Sequence, residues 1–222
     1  MIRLEDIVKT YQMGKTDLTV LKGVSLEIKD GEMIAIMGPS GSGKTTLLNV
    51  IGCLDKPTSG NYYFGEKEVS RLSSSELAEL RGQKIGFIFQ TFNLLSRLSA
   101  LSNVELGMMY AGGVNRERAK EALDRVGLSQ RMKHRPVELS GGEQQRVAIA
   151  RALVKNPSVF LADEPTGQLD SRSGREIMSI LCSLQAEQNI TVLVVTHDSN
   201  VAHECQRVVH IQDGEIVKEE KT

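Results

Sequence analysis

Residues 33–51 read MIAIMGPSGSGKTTLLNVI. Met33–Met37 is an apolar run of strand length, and Lys44 to about Ile51 reads as a helix. Between them Gly38-Pro39-Ser40-Gly41-Ser42-Gly43-Lys44-Thr45 fits G-x-x-x-x-G-K-[ST]. The spacing has a chemical reason. Glycines let the backbone curl so that successive N–H groups converge on a phosphate, and the helix N-terminus adds positive potential. Lys44 can then reach the β- and γ-phosphates of a nucleoside triphosphate, the Thr45 hydroxyl can ligate Mg²⁺, and Thr46 extends the same helix start. A Gly/Ser loop that binds nothing would need neither the strand before it nor the helix after it.

On either side of this loop the pattern is that of a mixed α/β protein. Ile2, Leu4 and Ile7, then Val20, Val24, Leu26 and Ile28, alternate as in half-buried strands, and Asp30-Gly31 offers a hairpin turn. Further strands are expected around Tyr62–Phe64 and over Lys84–Phe89. From about Gln90 to Pro157 the pattern turns helical, with Ala119, Ala122, Leu123 and Val126 on one face after an Asn115 cap. Beyond Pro157, strands at Val159–Ala162 and Thr191–Thr196 flank a helix marked by Ile177, Ile180, Leu181 and Leu184. Strands alternating with helices imply a parallel sheet covered on both faces. A second hairpin is expected at Asp213-Gly214, followed by a charged, solvated tail.

The 222 residues carry 27 Lys+Arg against 28 Asp+Glu, with 40% apolar and 25% charged residues. That composition suits one globular domain. A net charge of −1 argues against a dedicated nucleic-acid binder. No apolar run is long enough to span a bilayer, and MIRLEDIVKTY lacks the apolar block of a secretory signal, so a cytoplasmic protein is expected. Cys53, Cys182 and Cys205 are odd in number and widely spaced, which argues against a disulfide framework and a zinc site.

Val159-Phe160-Leu161-Ala162-Asp163-Glu164 is an apolar strand ending in two acids. Beside a phosphate loop, such a strand delivers an acid to the metal side of the phosphates, so Asp163 is the metal candidate. Glu164, one step further on, is the candidate general base for an attacking water. Pro165-Thr166-Gly167-Gln168-Leu169-Asp170 then reads as a turn that carries Asp170 away from the strand.

A second phosphate-ready surface lies in Leu139-Ser140-Gly141-Gly142-Glu143-Gln144-Gln145-Arg146. A hydroxyl, two glycines and a helix start offer free N–H groups and a favourable dipole. Because the first loop surrounds its own triphosphate, this segment is expected to act on nucleotide held by another copy; a Ser-capped helix without a ligand is the plainer alternative.

LSGGEQQR ahead of VFLADEP resembles the signature and Walker B motifs of the ATP-binding cassette (ABC) ATPases. The order of parts agrees along nearly the whole chain. The resemblance implies an α/β P-loop NTPase (ABC ATPase) fold: a RecA-like mixed sheet core, an N-terminal antiparallel β subdomain and an inserted α-helical subdomain. It implies one ATP-binding domain over residues 1–222, with the core and β subdomain drawn from 1–89 and 158–222 and the helical signature subdomain from 90–157. Tyr11 matches the adenine-stacking aromatic and Gly38–Thr45 the Walker A loop. Gln90 matches the Q-loop glutamine, a sensor of metal and water. Asp163 and Glu164 match Walker B and the catalytic glutamate, Leu169-Asp170 the D-loop and His197 the switch histidine. Gln168 stands where a smaller residue is usual. His197 would hold the γ-phosphate and orient the water, which a neutral imidazole can do.

The implied activity is hydrolysis of ATP with Mg²⁺. The implied assembly is a head-to-tail homodimer that traps two ATPs between P-loop and signature faces. Within the family, MGPSGSGKTTLLNVIGCLDKPTSG, IGFIFQTFNLL and LADEPTGQLD look like the macrolide-export and lipoprotein-releasing branch. The implied partner is an integral membrane permease with a large extracytoplasmic domain, which places the chain on the cytoplasmic face of the cell membrane. One cassette is expected, with no regulatory domain after His197. Phe92, Leu94, Leu95 and Leu98 are either core packing or an apolar groove for a short cytoplasmic helix of that partner. Two roles stay open at this level: export or extraction of a hydrophobic or peptide-like substrate, and cargo-free signalling to an extracytoplasmic partner.

Overall fold

Two alternating stretches open the chain and pair with each other. β1 (Ile2–Met13) runs antiparallel to β2 (Thr16–Ile28), with Ile2 opposite Ile28 and Leu4 opposite Leu26. Their inward residues, Ile2, Leu4, Ile7, Val24, Leu26 and Ile28, are buried, as alternation requires. The structure is a computed structural model that describes residues 1–222 apart from Lys15, Tyr110 and Ala111.

The Asp30-Gly31 turn is not the hairpin its composition suggests. β3 (Met33–Met37) leaves β2 and joins a different sheet, and the Gly31 N–H donates to Thr191 Oγ1 at 3.0 Å. The reason lies in β3 itself, which is apolar on both faces and needs cover on both. β2 could shield only one of them.

After β3 come α1 (Lys44–Ile51), β4 (Ser59–Phe64) and β5 (Lys67–Glu68), and then α2 (Ser74–Lys84) and β6 (Ile85–Phe89). β4 and β5 complete a four-stranded sheet in the order β2-β1-β4-β5. α2 was not expected from periodicity, because Leu77 is its one buried side chain. Its signal is the Ser73-x-x-Glu76 capping box: Ser73 Oγ accepts from the Glu76 N–H at 3.3 Å, and Glu76 Oε2 accepts from the Ser73 N–H at 2.9 Å.

Between β6 and β7 (Val159–Asp163) lie α3 (Ala100–Leu106), α4 (Arg116–Arg125) and α5 (Gly141–Leu153). Asn115 caps α4 through the Arg118 N–H at 3.1 Å, and Ala119, Ala122, Leu123 and Val126 are buried, as their spacing predicts. The chain ends with α6 (Ser171–Gln188), β8 (Thr191–Val195), α7 (Ser199–His203), β9 (Arg207–Gln212) and β10 (Glu215–Lys221). The Asp213-Gly214 hairpin forms, with both residues at positive φ. The charged tail is not a free end but the edge strand β10, antiparallel to β9.

The second sheet has six strands in the order β10-β9-β3-β8-β7-β6, parallel except at β10. Its strands divide their side chains between two cores. Met33, Ala35, Phe160, Ala162, Val192 and Val194 face the cluster that holds α3 to α7. Ile34, Ile36, Val159, Leu161, Leu193 and Val195 face α1 and the antiparallel sheet. Burial pushes the thiols of Cys53 and Cys205 up to about 11 and about 12, so both behave as small core residues.

Phe160 is fully buried and lies over Gly86 of the neighbouring strand. Phe160→Ala should therefore lower unfolding free energy by about 3–5 kcal/mol, measured by chemical denaturation.

Candidate nucleotide site

Strand register assembles the site. Ile36 of β3 pairs with Val195 of β8, Val195 with Asp163 of β7, and Asp163 with Phe89 of β6. The residues that follow, from Gly38 and from Thr196, Glu164 and Gln90, emerge along one edge of the sheet. This is the carboxyl edge where open parallel sheets bind ligands.

A cleft of about 710 Å³ opens there, lined by Val20, Gly38–Gly41, Gly43–Thr46, Asp163, Glu164, Val195 and His197. The loop requires its first glycine. Gly38 has φ +155°, and a Cβ on it would stand 2.0 Å from the Ile211 carbonyl oxygen. α1 starts after Gly43 with no side-chain cap, so its first N–H groups are left for a ligand. Lys44 Nζ folds back to donate to the Gly38 and Pro39 carbonyls at 2.9 and 2.8 Å. Ser42 is buried beneath the loop, its Oγ without a hydrogen-bond partner.

The two acids sit side by side in different environments. Burial, with the neighbouring Glu164, raises the Asp163 pKa above the usual carboxylate value, and Lys44 opposes the shift. A cation placed there would relieve that cost. Among the described residues no three His, Cys, Asp or Glu side chains form a metal cluster. The Asp163 carboxylate and Thr45 hydroxyl are hard oxygen donors, which fit Mg²⁺ when phosphate oxygens and water complete its shell.

Glu164 has φ +47°, an uncommon conformation for a non-glycine residue. Its N–H donates to the Val195 carbonyl at 2.9 Å, and its carbonyl accepts from the Gly167 N–H at 3.0 Å. The side chain turns toward β8, where Oε1 lies 2.7 Å from His197 Nδ1 and Oε2 lies 3.5 Å from Thr196 Oγ1. An ionised carboxylate accepts, so Nδ1 carries the proton in this pair. The hydrogen bond and charge of Glu164 raise the His197 pKa above 6.5. The imidazolium, with both nitrogens donating, therefore persists to higher pH than in a free histidine.

Tyr11 lies outside the cleft lining. Its hydroxyl donates to Asp55 Oδ2 at 2.8 Å, and Lys9 Nζ stands 4.7 Å from its ring centroid. Lys9 also binds Asp55 Oδ1 at 2.6 Å. Burial alone would raise the Asp55 pKa, but the hydrogen bonds from Lys9 and Tyr11 bring it below the usual value.

The signature segment is placed elsewhere. Ser140 caps α5 by accepting from the Glu143 N–H at 3.3 Å, while Glu143 accepts from the Ser140 N–H at 2.8 Å and from Arg131 Nε at 3.0 Å. Ser140 is exposed. A Cβ on Gly141 would lie 3.3 Å from Leu169, and one on Gly142 3.2 Å from Ser173, so the helix start sits close against the turn before α6. Asp170 caps α6, accepting from the N–H groups of Arg172 and Ser173, both at 3.0 Å. Gln168 is exposed. Gln90 Nε2 lies 2.8 Å from where a Cβ on Gly167 would stand, which ties it to the turn after Glu164. Ser140, Gly141, Gly142, Glu143, Asp170 and Gln90 do not line the P-loop cleft.

Sequence reasoning passed over Val20 and Val195 in the cleft wall, and Thr196, which is buried and touches Glu164. Thr196, as the polar end of an apolar run directly before His197, was a readable signal; the two valines look like any strand residue.

A family profile described as ABC transporter matches residues 21–167. The chain belongs to the ABC transporter family. An ABC transporter ATP-binding protein of Methanocaldococcus jannaschii, MJ0796, is 51% identical and is covered over 97% of its length by all of this chain. The macrolide export ATP-binding/permease protein MacB of Syntrophobacter fumaroxidans is 50% identical over 99% of this chain. This chain spans 31% of that protein's length. A dimeric structure of the MJ0796 cassette in a post-hydrolysis state, bound to ADP and Pi, superposes with a TM-score of 0.91 at 50% identity, covering 100% of this chain and 98% of that one. This ABC protein is an ATPase with the ABC ATPase fold. No helix among the described residues is long and apolar enough to cross a membrane.

The His197–Glu164 pair gives a direct test. In nucleotide-free protein without added metal, the imidazole C–H resonances of His197 should titrate with a midpoint above 6.5, and Glu164→Gln should lower it. The added stability of the charged pair is fully present below the unfolded-state histidine pKa and is lost as pH rises through the raised one.

Proposed function

We propose that this chain is the ATP-driven motor subunit of a membrane exporter, working as a head-to-tail homodimer on the cytoplasmic face of the cell membrane. The observation that carries this reading is the separation of two anion-ready helix starts. One, at Gly43, opens into the cleft with Asp163, Glu164 and His197; the other, at exposed Ser140, does not line that cleft. A second copy supplies the missing half of each.

In this reading Gly38–Thr46, with Pro39, Ser40 and Ser42, wrap the triphosphate, and Tyr11 stacks on adenine with Lys9 and Asp55 fixing its ring. Thr45, Asp163 and Gln90 would hold Mg²⁺, which would supply neutralisation of the developing phosphate charge. Glu164 removes a proton from water as the water oxygen bonds to the γ-phosphorus and ADP departs. His197 steadies the Glu164 carboxylate and donates to the γ-phosphate. Ser140, Gly141, Gly142 and Glu143 of the partner copy close the site, with Asp170 fixing the turn between them.

The membrane partner is a permease with a large extracytoplasmic domain, and its cargo is a hydrophobic or peptide-like molecule such as a macrolide, lipoprotein or antimicrobial peptide. The name and likeness of the MacB relatives support that branch. Leu95 is 53% exposed beside the half-buried Leu94 and Leu98, an apolar edge suited to a short helix of the permease.

Lys44→Ala should weaken ATP binding at least tenfold in a fluorescent-nucleotide titration. Glu164→Gln should leave binding within about twofold while lowering turnover by about 100-fold or more, in the range seen when a general base is lost. Retained multiple turnover in the glutamate variant would contradict the base assignment. With the permease reconstituted, the Leu95→Asp, Leu98→Asp double variant should lose stimulation by the partner and keep its basal ATPase.

A further inference from the structure

Gln145 lies in the second turn of α5 and is fully buried. Its Nε2 donates to the Pro165 carbonyl at 2.7 Å and faces the Phe89 carbonyl at 3.4 Å. Phe89 is the last residue of β6 before Gln90, and Pro165 directly follows Glu164. The parallel ladder between the two strands reaches Phe89 and Asp163. Beyond it one side-chain amide, with its two donors, joins the residues that end the two strands. Both partners are acceptors, which fixes the nitrogen toward them. Oε1 is left buried with no hydrogen-bond partner. An apolar side chain of the same length would avoid that desolvation cost but leave the Pro165 and Phe89 carbonyls without this donor, so what the glutamine supplies is the tie between the two loops.

α5 is the helix whose first residues form the signature surface, with Ser140 at its cap. Its amide therefore connects that surface with the backbone on one side of Gln90 and on the other side of Glu164. Gln90 in turn rests against Gly167 in the turn after Glu164. A small displacement of α5 along its axis would stretch both contacts and move both loops together.

We infer that Gln145 is a positioning residue that couples the signature helix to the catalytic loops of its own chain, so that engaging the partner's nucleotide at Ser140 sets Glu164 and Gln90 for hydrolysis of the nucleotide held at home. The inference rests on the head-to-tail reading above. It adds a physical route by which the two sites of a dimer fire cooperatively.

The test uses the full chain and Gln145→Met, which keeps the side chain's length and helix preference and removes both donors. ATPase rate is measured against ATP concentration, with nucleotide affinity and thermal melting measured separately. The expected result is a kcat at least tenfold lower, ATP affinity within twofold of the original chain, and a Hill coefficient falling toward 1. Unchanged kcat, or equal losses in kcat and affinity, would overturn the inference.

If the variant does not fold, hydrogen exchange of Glu164→Gln decides. ATP should protect segments 89–93, 140–147 and 164–168 together. Protection of 89–93 and 164–168 with 140–147 unchanged, in a sample that light scattering shows to be dimeric with ATP, would overturn it. If the original chain itself shows a Hill coefficient of 1, coupling between the sites is overturned; the head-to-tail reading itself fails instead if Glu164→Gln stays monomeric at saturating ATP.

Discussion

The structure depends on the parallel register of β6, β7, β8 and β3. Parallel strands put all their carboxyl ends on one edge, and the pairings Phe89–Asp163, Asp163–Val195 and Ile36–Val195 align those ends to the residue. A one-residue slip would send alternating side chains to the opposite core and separate Glu164 from His197. Burial of both strand faces makes that slip costly, because Phe160 and Leu161, or Val192 and Leu193, cannot exchange cores without repacking both. Stability and the geometry of the cleft thus have a common source.

Upon this frame the site is electrostatically tense before any ligand arrives. Asp163 and Glu164 are neighbours of like charge, and Glu164, in a left-handed backbone conformation, reaches His197. Lys44 rests on carbonyls of its own loop, and the N–H groups at the start of α1 lack a side-chain cap. In the proposed reading a divalent cation would offset the burial of Asp163, and a polyphosphate would receive Lys44 and the uncapped start of α1. The cleft is organised for a charge distribution that the ligand completes.

Much of this was legible in the sequence because it is local. Gly38–Thr45, the strand Val159–Asp163 with its acid pair, the Asn115 cap and the Asp213-Gly214 hairpin each follow from spacing over a few residues. What was missed depends on partners distant in sequence. Asp30-Gly31 has the chemistry of a hairpin, but whether the next strand pairs with the last is settled by the double-faced burial of β3. The tail residues Glu215–Lys221 carry no apolar alternation, because an edge strand open to water needs none, and their pairing with β9 decides their conformation. α2 is the exception: it buries too little for periodicity to reveal it, and its signal, the Ser73-x-x-Glu76 capping box, is local. Gln145 is invisible as a linker until the fold brings Phe89 and Pro165 to its amide.

The central claim is that the cleft at Lys44 and the exposed Ser140 surface are two halves of one nucleotide site, completed only by a second copy. Light scattering of Glu164→Gln with and without ATP tests it most directly, since this variant should bind ATP and not consume it. A monomer is expected without ATP and twice that mass with it, the shift being abolished by Ser140→Arg. A monomer at saturating ATP, with nucleotide binding confirmed on the same sample, would contradict it.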